Sequence, residues 1–427
     1  MSTSATSAAS PLARELEQRG LVTVATPTTG GDALDRAFAA RSPVIACLDV
    51  AAPSLDARHL PTLAALVRMQ RAGHAPVIVL RSALALTGEP TTPCAELEPR
   101  VAAHAEAMRA QLARVLDRDP APIFVDDRDW LGGLSYLQFL RDAGKYLSVN
   151  YLAERPSIAS REELTYNELA QLLLAAFDIV EAARRHRATL CIGPAFDHDA
   201  ITAALDMAAR MATADDGRLV GLVATSLPVD AARTRDAAGQ PVWLDAAQTT
   251  PYQFYQHWLN ASDDDAAPLV RMFSPHPTPE LDALLADHDR DRARRAAQRH
   301  LAQALTTWIH DERAVLGIEA ANRIMFGGAA LSDLSVEELE LLTKLLPTYE
   351  LPRDDLAAGI ALGDLLARAA IAASKGAARR LITQGGVYIN GAQVKDPERR
   401  VSIADLATAT MLVVRSGKKT YHLIRVT

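Results

Sequence analysis

Short apolar segments that alternate with amphipathic helical segments dominate the first half of the chain and restrict its fold most. Pro43–Val50 (PVIACLDV) and Ala75–Ser82 (APVIVLRS) are almost continuously apolar, which is typical of parallel strands buried on both faces. Between them, Leu60–Ala72 has a helical period and ends at Gly73. The alternation recurs in units of about thirty residues and predicts an α/β fold, a Rossmann-like doubly wound parallel sheet.

Ligands of such sheets bind outside the carboxyl ends of the strands. Three further strands are predicted after residue 120 (APIFVDD), over Ala188–Gly193 and over Arg218–Ser226. We therefore expect a ligand site near Asp49, Arg81 and Gly193, each of which ends a predicted strand.

The β pattern stops near residue 250, and the amphipathic segments that follow predict a helical domain. Pro347 and Pro352 bracket a predicted linker. We expect a disordered tail, the α/β domain, the helical domain, the linker and a small α+β C-terminal domain, over residues 1–10, 11–249, 250–346, 347–364 and 365–427 respectively.

Residues 365–427 contain eleven Lys and Arg but three Asp and Glu, a net charge of +8, whereas the rest of the chain carries −15. Ser374 can cap a short helix that ends at Gly385, and Asn390-Gly391 is a strong hairpin signal. A second hairpin is predicted around Ser416–Lys419. A basic module on an acidic body favours a phosphate-rich partner. The alternative is a solvated cationic face, but we predict RNA binding by Lys375, Arg379, Arg380, Arg415, Lys418 and Lys419.

Composition narrows the class of protein. Cys47, Cys94 and Cys191 are far apart and lack metal-ligand spacing, so we expect reduced thiols that fill the core, and a cytoplasmic location. No apolar run approaches the roughly 20 residues of a membrane span. The first ten residues lack the basic and apolar regions of a secretory signal.

Three longer segments resemble the bacterial tyrosyl-tRNA synthetases, a class I family, and the resemblance extends over roughly residues 12–427. They are Phe139–Asn150 (FLRDAGKYLSVN), Val242–Asn260 (VWLDAAQTTPYQFYQHWLN) and Ser374–Gly391 (SKGAARRLITQGGVYING). The resemblance implies a catalytic-type domain, an anticodon-binding-type helical domain, a C-terminal RNA-binding domain and tRNA as a partner. It also implies a homodimer formed around Trp130–Tyr151, where the apolar residues could equally fill the core: Trp130, Leu137, Phe139, Leu140 and Tyr146.

Two motifs that bind ATP in this family are altered. The HxGH signature corresponds to Asp56-Ala57-Arg58-His59, in which only His59 is retained. Asp56 would repel phosphate, and Arg58 would put a long side chain where adenine should stack. The KMSKS-type loop corresponds to Arg233-Thr234-Arg235-Asp236-Ala237, and Asp236 has the wrong charge for a pyrophosphate leaving group.

The tyrosine pocket implied by the resemblance is altered as well. Ile45 replaces the tyrosine at the phenol end, and Arg81–Ala85 replaces a glycine-rich stretch. The acid that holds the substrate amine becomes Glu89, the amine-contacting glutamine becomes Asp197, and Asp178 alone remains of the pocket helix. Several such losses should abolish ordinary aminoacylation, so no cofactor is assigned and use of ATP and Mg²⁺ is not expected.

Three hypotheses follow. The leading one is a non-catalytic paralogue that binds tRNA or another structured RNA. The second is a repurposed enzyme acting on an aminoacyl-tRNA or an amino-acid-like small molecule, and the third is residual tyrosine--tRNA ligation. Asp197, His198 and Asp199 are weak metal candidates, because acids are also common at a solvated helix N-terminus. Candidates for chemistry in the old cleft are His59, Asp178, Asp49, Glu89, Asp197, Arg58, Arg233 and Arg235.

Overall fold

The computed structural model describes residues 10–24, 31–88, 92–211, 219–227, 234–236, 238–325, 330–417 and 420–427. The chain divides into two compact units, one of residues 1–250 and 256–305 and the other of residues 251–255 and 306–427. Most of the tail predicted over residues 1–10 lies outside the described residues, whereas Ser10 caps the first helix.

The first unit contains a six-stranded sheet, with strands β1 (Val22–Val24), β2 (Val44–Asp49), β3 (Pro76–Arg81), β4 (Ile123–Asp126), β5 (Leu190–Gly193) and β6 (Val220–Ala224). The order across the sheet is β1-β6-β5-β2-β3-β4. Strands β2 to β6 run parallel, and β1 pairs antiparallel with β6 at one edge. Every residue of β3 is buried, as expected for a strand covered on both faces. The predicted doubly wound sheet is confirmed, and β1 is an addition.

Helices cover this sheet because their apolar residues recur at the helical period. The long helix α10, capped by Thr165, buries Leu172, Ala176, Ile179 and Ala183 on one core with the strands. The helices of this part are α1 (Pro11–Gln18), α2 (Gly31–Ala39), α3 (Leu60–Arg71), α4 (Ser82–Leu86), α5 (Cys94–Val115), α6 (Arg128–Leu131), α7 (Tyr136–Phe139), α8 (Val149–Ala153), α9 (Pro156–Ala159), α10 (Tyr166–His186) and α11 (His198–Met211).

From residue 250 to residue 345 the described part of the chain contains helices and no strand, which confirms the predicted helical region. They are α12 (Pro251–Leu259), α13 (Asp263–Phe273), α14 (Thr278–Arg290), α15 (Ala296–Ile309), α16 (Glu312–Met325) and α17 (Val336–Leu345). They do not form one compact unit over 250–346, because the limit between the two units falls at Leu305, within α15.

The C-terminal part combines helices α18 (Arg353–Ala357), α19 (Leu362–Arg368) and α20 (Lys375–Thr383) with strands β7 (Thr348–Leu351), β8 (Ile360–Ala361), β9 (Val387–Ile389), β10 (Ala392–Val394), β11 (Arg400–Val401), β12 (Met411–Ser416) and β13 (Thr420–Val426). Five strands form a sheet of order β10-β9-β12-β13-β7, and β8 pairs with β11. Side chains of β12 alternate between two cores, with Leu412 and Val414 on one and Met411 and Val413 on the other. The sheet is therefore buried on both faces at its centre.

The predicted linker over 347–364 is wrong. Strand β7 pairs in parallel with β13, and Leu351, Leu356 and Leu362 lie in the core of the C-terminal sheet. The two prolines that suggested a linker bracket a short edge strand instead, a position that tolerates proline.

Both predicted hairpins are confirmed. Strands β9 and β10 pair across Asn390 and Gly391, whose φ angles of 47° and 84° suit a tight two-residue turn. Strands β12 and β13 pair up to Ser416 and Thr420.

The structure can be compared with two expectations from composition, namely buried thiols and no membrane-spanning segment. Cys47 and Cys191 are buried, Cys94 is exposed, and all three are free thiols, so core filling holds for two of them. Among the described residues, none of the helices combines the length and the apolar character needed to cross a membrane.

Candidate functional site

The strand order reverses between β2 and β5, which is the point where open α/β sheets bind ligands. Strand β2 ends at Asp49 and β5 ends at Gly193, followed by the turn that carries Asp197. A Cβ on Gly193 would lie 3.0 Å from Ile201 and 3.4 Å from Asp197, so glycine lets this turn approach the strand end. The structure thus brings the predicted strand-end residues to one edge of the sheet.

A buried arginine occupies this edge. Arg81, at the end of β3, is only 1% exposed, and its Nη1 lies 3.3 Å from Asp49 Oδ1 and 3.0 Å from Asp197 Oδ2. Its Nη2 donates to the carbonyl oxygen of Ala175 on α10 at 3.4 Å. A buried guanidinium is tolerated only when charges and hydrogen bonds compensate for its lost hydration, and these partners supply that compensation.

Asp178 completes the cluster, but its carboxyl group is only partly hydrogen-bonded. Its Oδ1 accepts a hydrogen bond of 2.8 Å from Trp130 Nε1, while its Oδ2 lies 4.0 Å from Arg81 Nε. Neither Asp178 Oδ2 nor Arg81 Nε has a hydrogen-bond partner among the described residues. Burial, reinforced by the charge of Asp127, raises the pKa of Asp178 to about 8. Burial also raises the pKa of Asp197. One guanidinium therefore faces three carboxyl groups, and the raised pKa of Asp178 favours its protonated form at neutral pH.

Replacing Asp178 by asparagine is expected to flatten the pH dependence of stability. Because the folded-state pKa of Asp178 is raised above its unfolded value, the wild type loses free energy of unfolding as the pH rises from about 4 to about 8, by up to about 1.4 kcal/mol per pH unit. The neutral amide of Asp178→Asn cannot contribute this loss. Urea unfolding of both proteins between pH 5 and 8 measures the difference.

Asp127 contributes to the same measurement. Burial raises its pKa to about 6, and its charge is one cause of the raised pKa of Asp178, so part of the difference between the two proteins arises from this interaction. Parallel stability curves for the wild type and Asp178→Asn would contradict the protonated state of Asp178.

A second cluster occupies the turn before α3. Asp56 is 2% exposed, and its carboxylate accepts hydrogen bonds from Arg58 Nε at 3.0 Å and Arg58 Nη2 at 2.7 Å. His59 Nδ1 lies 3.3 Å from Asp56 Oδ1. Although burial alone would raise it, the hydrogen bonds from His59 and Arg58 hold the pKa of Asp56 well below its usual range. Asp56 thus keeps the Arg58 guanidinium and the His59 imidazole in contact with itself.

The described part of the loop before Val242 is held by its own backbone. Asp236 Oδ1 accepts hydrogen bonds of 2.9 Å from the backbone N–H groups of Ala238 and Gln240. Arg235 Nη1 donates to the carbonyl oxygen of Gly239 at 2.6 Å. The candidates Arg233 and Glu89 lie outside the described residues.

The three weak metal candidates have different hydrogen-bond and ion-pair partners. Asp197 contacts Arg81, whereas Asp199 Oδ2 accepts the backbone N–H of Ser157 at 2.7 Å and is buried in the first turn of α11. His198 lies 3.5 Å from Asp199 Oδ1. Over the ranges that the structure describes, no group of His, Cys, Asp and Glu could hold a metal ion.

Four of the six predicted RNA-binding cations are among the described residues, three on α20 and one on β12. Lys375, Arg379 and Arg380 are exposed on α20, and Ser374 caps that helix as expected. Lys375 pairs with Asp364 at 2.8 Å and Arg379 with Glu398 at 2.9 Å. These are surface pairs that a phosphate can displace at little cost. Arg415 stacks on Tyr388 at 3.7 Å, and Lys418 and Lys419 lie outside the described residues.

Comparison with known proteins identifies the family. Residues 52–327 match the family described as tRNA synthetases class I (W and Y), and residues 338–424 match the tyrosine--tRNA ligase SYY-like C-terminal domain. The tyrosine--tRNA ligase of Thermobifida fusca is 36% identical over 426 residues, covering 95% of this chain and 97% of that one. The chain belongs to the class I tyrosyl-tRNA synthetase family.

Two further comparisons, with a relative and with a solved structure, give the same family and the same fold. The tyrosine--tRNA ligase of Roseiflexus castenholzii is 35% identical over 389 residues, which cover 88% of this chain and 91% of that one. A C-terminally truncated mitochondrial tyrosyl-tRNA synthetase of Aspergillus nidulans shares the fold with a TM-score of 0.62 at 20% identity. It covers 74% of this chain and 94% of that chain.

Within this synthetase fold, five of the six described cleft candidates from the sequence form two groups, and Arg235 belongs to neither. Asp49, Asp178 and Asp197 surround Arg81, and Arg58 and His59 surround Asp56. Arg81 as the counter-ion of the first group and Asp56 as that of the second were not predicted from the sequence. Two signals were available, an arginine that ends a wholly apolar strand and an aspartate two residues before an arginine.

Proposed function

We propose that this synthetase-family protein binds tRNA or another structured RNA and does not activate tyrosine in the ordinary way. The position of Arg81 carries this proposal. Its guanidinium lies at the reversal point of the sheet, bonded to Asp49 and Asp197 and beside Asp178, the one residue retained from the pocket helix. The family resemblance puts bare glycine backbone where this side chain begins. Asp178 Oδ2 is buried beside it, 4.0 Å from Arg81 Nε.

The nucleotide side of the cleft supports the same proposal. In the HxGH-like turn, the Arg58 guanidinium and the His59 imidazole both contact Asp56. An anionic carboxylate among them weakens the attraction for phosphate that the family's signature provides. Asp236 adds a further negative charge in the loop that corresponds to the lysine-rich one.

RNA binding is supported by the exposed cations of α20. Replacing both Arg379 and Arg380 by alanine is expected to lower affinity for tyrosine tRNA more than about tenfold at low salt. The slope of log affinity against log salt concentration should become shallower by about two units, one for each lost phosphate contact. Filter binding at several salt concentrations measures both quantities.

Arg114, an exposed arginine on α5, is the matched control, and Arg114→Ala should bind like the wild type. Undetectable binding of tRNA by the wild-type protein at low salt would refute the proposed function. Equal slopes for all three proteins would move the RNA contact away from α20.

We also propose that the protein is a homodimer, as the family resemblance implies. The structure divides the predicted interface residues, because Trp130 and Phe139 are buried in the core while Leu137 is 78% exposed. Other exposed apolar and aromatic side chains lie within the same stretch of sequence, namely Tyr136, Leu140 and Val149. Tyr166 lies beyond this stretch, and its hydroxyl oxygen is 2.8 Å from that of Tyr136. A run of this kind is more than the scattered apolar exposure of ordinary surfaces and supports an interface.

Leu137→Asp is expected to yield monomers, because a charge buried in an apolar interface without a partner costs several kcal/mol. Light scattering coupled to size-exclusion chromatography measures the mass. Val336→Asp changes a residue of α17 that is 75% exposed and should keep the mass of the wild type. A wild-type monomer at micromolar concentration would rule out the dimer.

Tyrosine--tRNA ligation is a second candidate, because the curated relatives with that name align over nearly the whole chain. The retained Asp178 and His59 favour it, whereas Arg81 and Asp56 oppose it. A repurposed enzyme is the third candidate, and the replaced polar groups around Arg81 support it. Both candidates predict turnover, which RNA binding alone does not.

A further inference from the structure

Two histidines lie side by side in the helical part of the first unit. His276 belongs to the turn between α13 and α14, and His300 lies on α15. The centroids of their rings are 5.1 Å apart. Imidazoles gain their charge close to neutral pH, so two of them at this separation repel each other once both are protonated. The contact between these rings therefore depends on pH.

A buried hydroxyl group joins His300 to the turn. Ser274, which follows α13, is 0% exposed, and its Oγ lies 2.8 Å from His300 Nε2. The same oxygen accepts a hydrogen bond of 3.1 Å from the backbone N–H of His276. Among the described residues, His300 Nε2 is the partner that remains for the hydroxyl proton of Ser274. This nitrogen can accept the proton only while the imidazole is neutral.

The turn at Ser274 also holds α1 and α3. The carbonyl oxygen of Ser274 accepts hydrogen bonds from Arg19 Nη1 at 2.9 Å and from Arg68 Nη2 at 3.1 Å. Arg19, which follows α1, also donates from Nη2 to the carbonyl oxygen of His276 at 2.8 Å. Both arginines are largely buried. Opening of this turn would therefore release its contacts with three helices together.

The charges around the two rings are unequal. His276 Nδ1 lies 2.7 Å from Glu280 Oε2, so a carboxylate can compensate a positive charge on His276. Within the described part of the chain, no carboxylate forms an ion pair with His300. Burial and the neighbouring His276 lower the pKa of His300 below its usual value. The fold thus favours the neutral form of His300.

The other charged groups of this region are already paired. On α1, α3, α13 and α14, the charged side chains that belong to the turn or to its partners are Glu15, Arg19, Arg68, Arg271, Glu280 and Asp282. Glu15 Oε1 pairs with Arg19 at 3.0 Å and with Arg68 at 3.4 Å. Asp282 pairs with Arg271 at 3.3 Å. These carboxylates are engaged by arginines, so they do not compensate a charge on His300.

We propose that His276, His300 and Ser274 form an acid-sensitive switch on the turn that ends α13. While His300 is neutral, its Nε2 accepts the hydroxyl proton of Ser274 and the turn stays attached to α1 and α3. When His300 takes up a proton from solvent, Nε2 becomes a donor, the buried hydroxyl loses its acceptor, and a second positive charge lies beside His276. The turn then opens. This inference is independent of the proposed RNA binding.

Hydrogen exchange of the full-length protein, followed on peptides that cover residues 270–280, tests the switch. After correction for the intrinsic effect of pH on exchange, protection of this segment is expected to fall between pH 7 and pH 5. His300 has its usual pKa of 6.5 in the open turn and a lower pKa in the closed one, so opening takes up a proton below that pH. Uptake of one proton limits the change to about tenfold per pH unit.

Three variants separate the parts of the switch. His300→Gln keeps an acceptor for the Ser274 hydroxyl but cannot take up the proton, so protection should stay constant from pH 7 to pH 5. His276→Gln removes only the neighbouring charge and should reduce the loss. His104→Gln is the matched control, because His104 Nδ1 lies 3.0 Å from the carbonyl oxygen of Val50 elsewhere in the unit. This control should lose protection like the wild type.

The outcomes that contradict the switch are distinct. Constant protection of residues 270–280 in the wild type, or an equal loss in the wild type and His300→Gln, would overturn it. An equal loss in peptides from α5 would show that the whole unit unfolds in acid, which would also overturn it. If His300→Gln is already unprotected at pH 7, His276→Gln decides: a reduced loss supports the switch, and a full wild-type loss overturns it.

Discussion

Tyrosine-dependent exchange between ATP and pyrophosphate is expected to be absent from the purified protein. Each missing donor to a developing negative charge costs about a hundredfold to a thousandfold in rate. Asp56 and Asp236 replace cationic groups of two motifs, so the rate should fall at least about 10⁴-fold below that of an active relative. Exchange of labelled pyrophosphate into ATP, with and without tyrosine, measures it, with the Thermobifida fusca tyrosine--tRNA ligase as the active reference.

Traces of a host synthetase could imitate a positive result. Asp178→Ala, purified in the same way, separates the two sources because it removes the retained pocket carboxylate and leaves any contaminant unchanged. Exchange that requires tyrosine in the wild type and disappears in Asp178→Ala would establish ligase-type chemistry and refute the absence of tyrosine activation. Exchange that is equal in both preparations would belong to the host enzyme.

Arg81→Leu is expected to lower the free energy of unfolding by about 3–5 kcal/mol. The substitution leaves Asp49 and Asp197 facing Asp178 without their shared counter-ion. In the wild type, the side chain of Arg81 is only 1% exposed. Removing one partner of a buried ion pair costs more than the pair contributes, because the remaining charge is buried without compensation. Urea denaturation at neutral pH measures the change.

Arg71 is the matched control, because it pairs with Asp117 at 2.9 Å on the surface and is 60% exposed. Arg71→Leu should cost less than about 1 kcal/mol. Adding Asp197→Asn to Arg81→Leu should recover part of the lost stability, since it removes one of the uncompensated charges. Equal small losses for Arg81→Leu and Arg71→Leu would show that the buried cluster is not held by Arg81.

Local patterns in the sequence predicted much of the fold. The apolar runs of β2 and β3 and the turn Asn390-Gly391 produced correct strands and hairpins, because each signal depends on neighbouring residues. The same reasoning failed for β7, whose four residues become a strand only by pairing with β13, more than 70 positions later. The short antiparallel strand β1 was missed for the same reason, since its partner β6 lies far along the chain.

The candidate site shows the same limit. Family motifs indicated which positions had changed, but not which changed residues would meet. Arg81 and Asp197 are 116 positions apart, and their contact depends on the strand order at the reversal point. Asp56 and Arg58 are two positions apart, so this pair could have been predicted from local geometry.

The parallel pairing of β7 with β13 decides where the C-terminal part can be cut for separate expression. A fragment beginning at residue 365 would lack β7 and would remove Leu351 and Leu356 from the core. It would leave the backbone donors and acceptors of β13 unpaired along one side, and such an open edge adds strands from other molecules and aggregates. A fragment that begins before α16 retains both the edge strand and the apolar residues, such as Ile324 and Leu342, that cover the second face of the sheet.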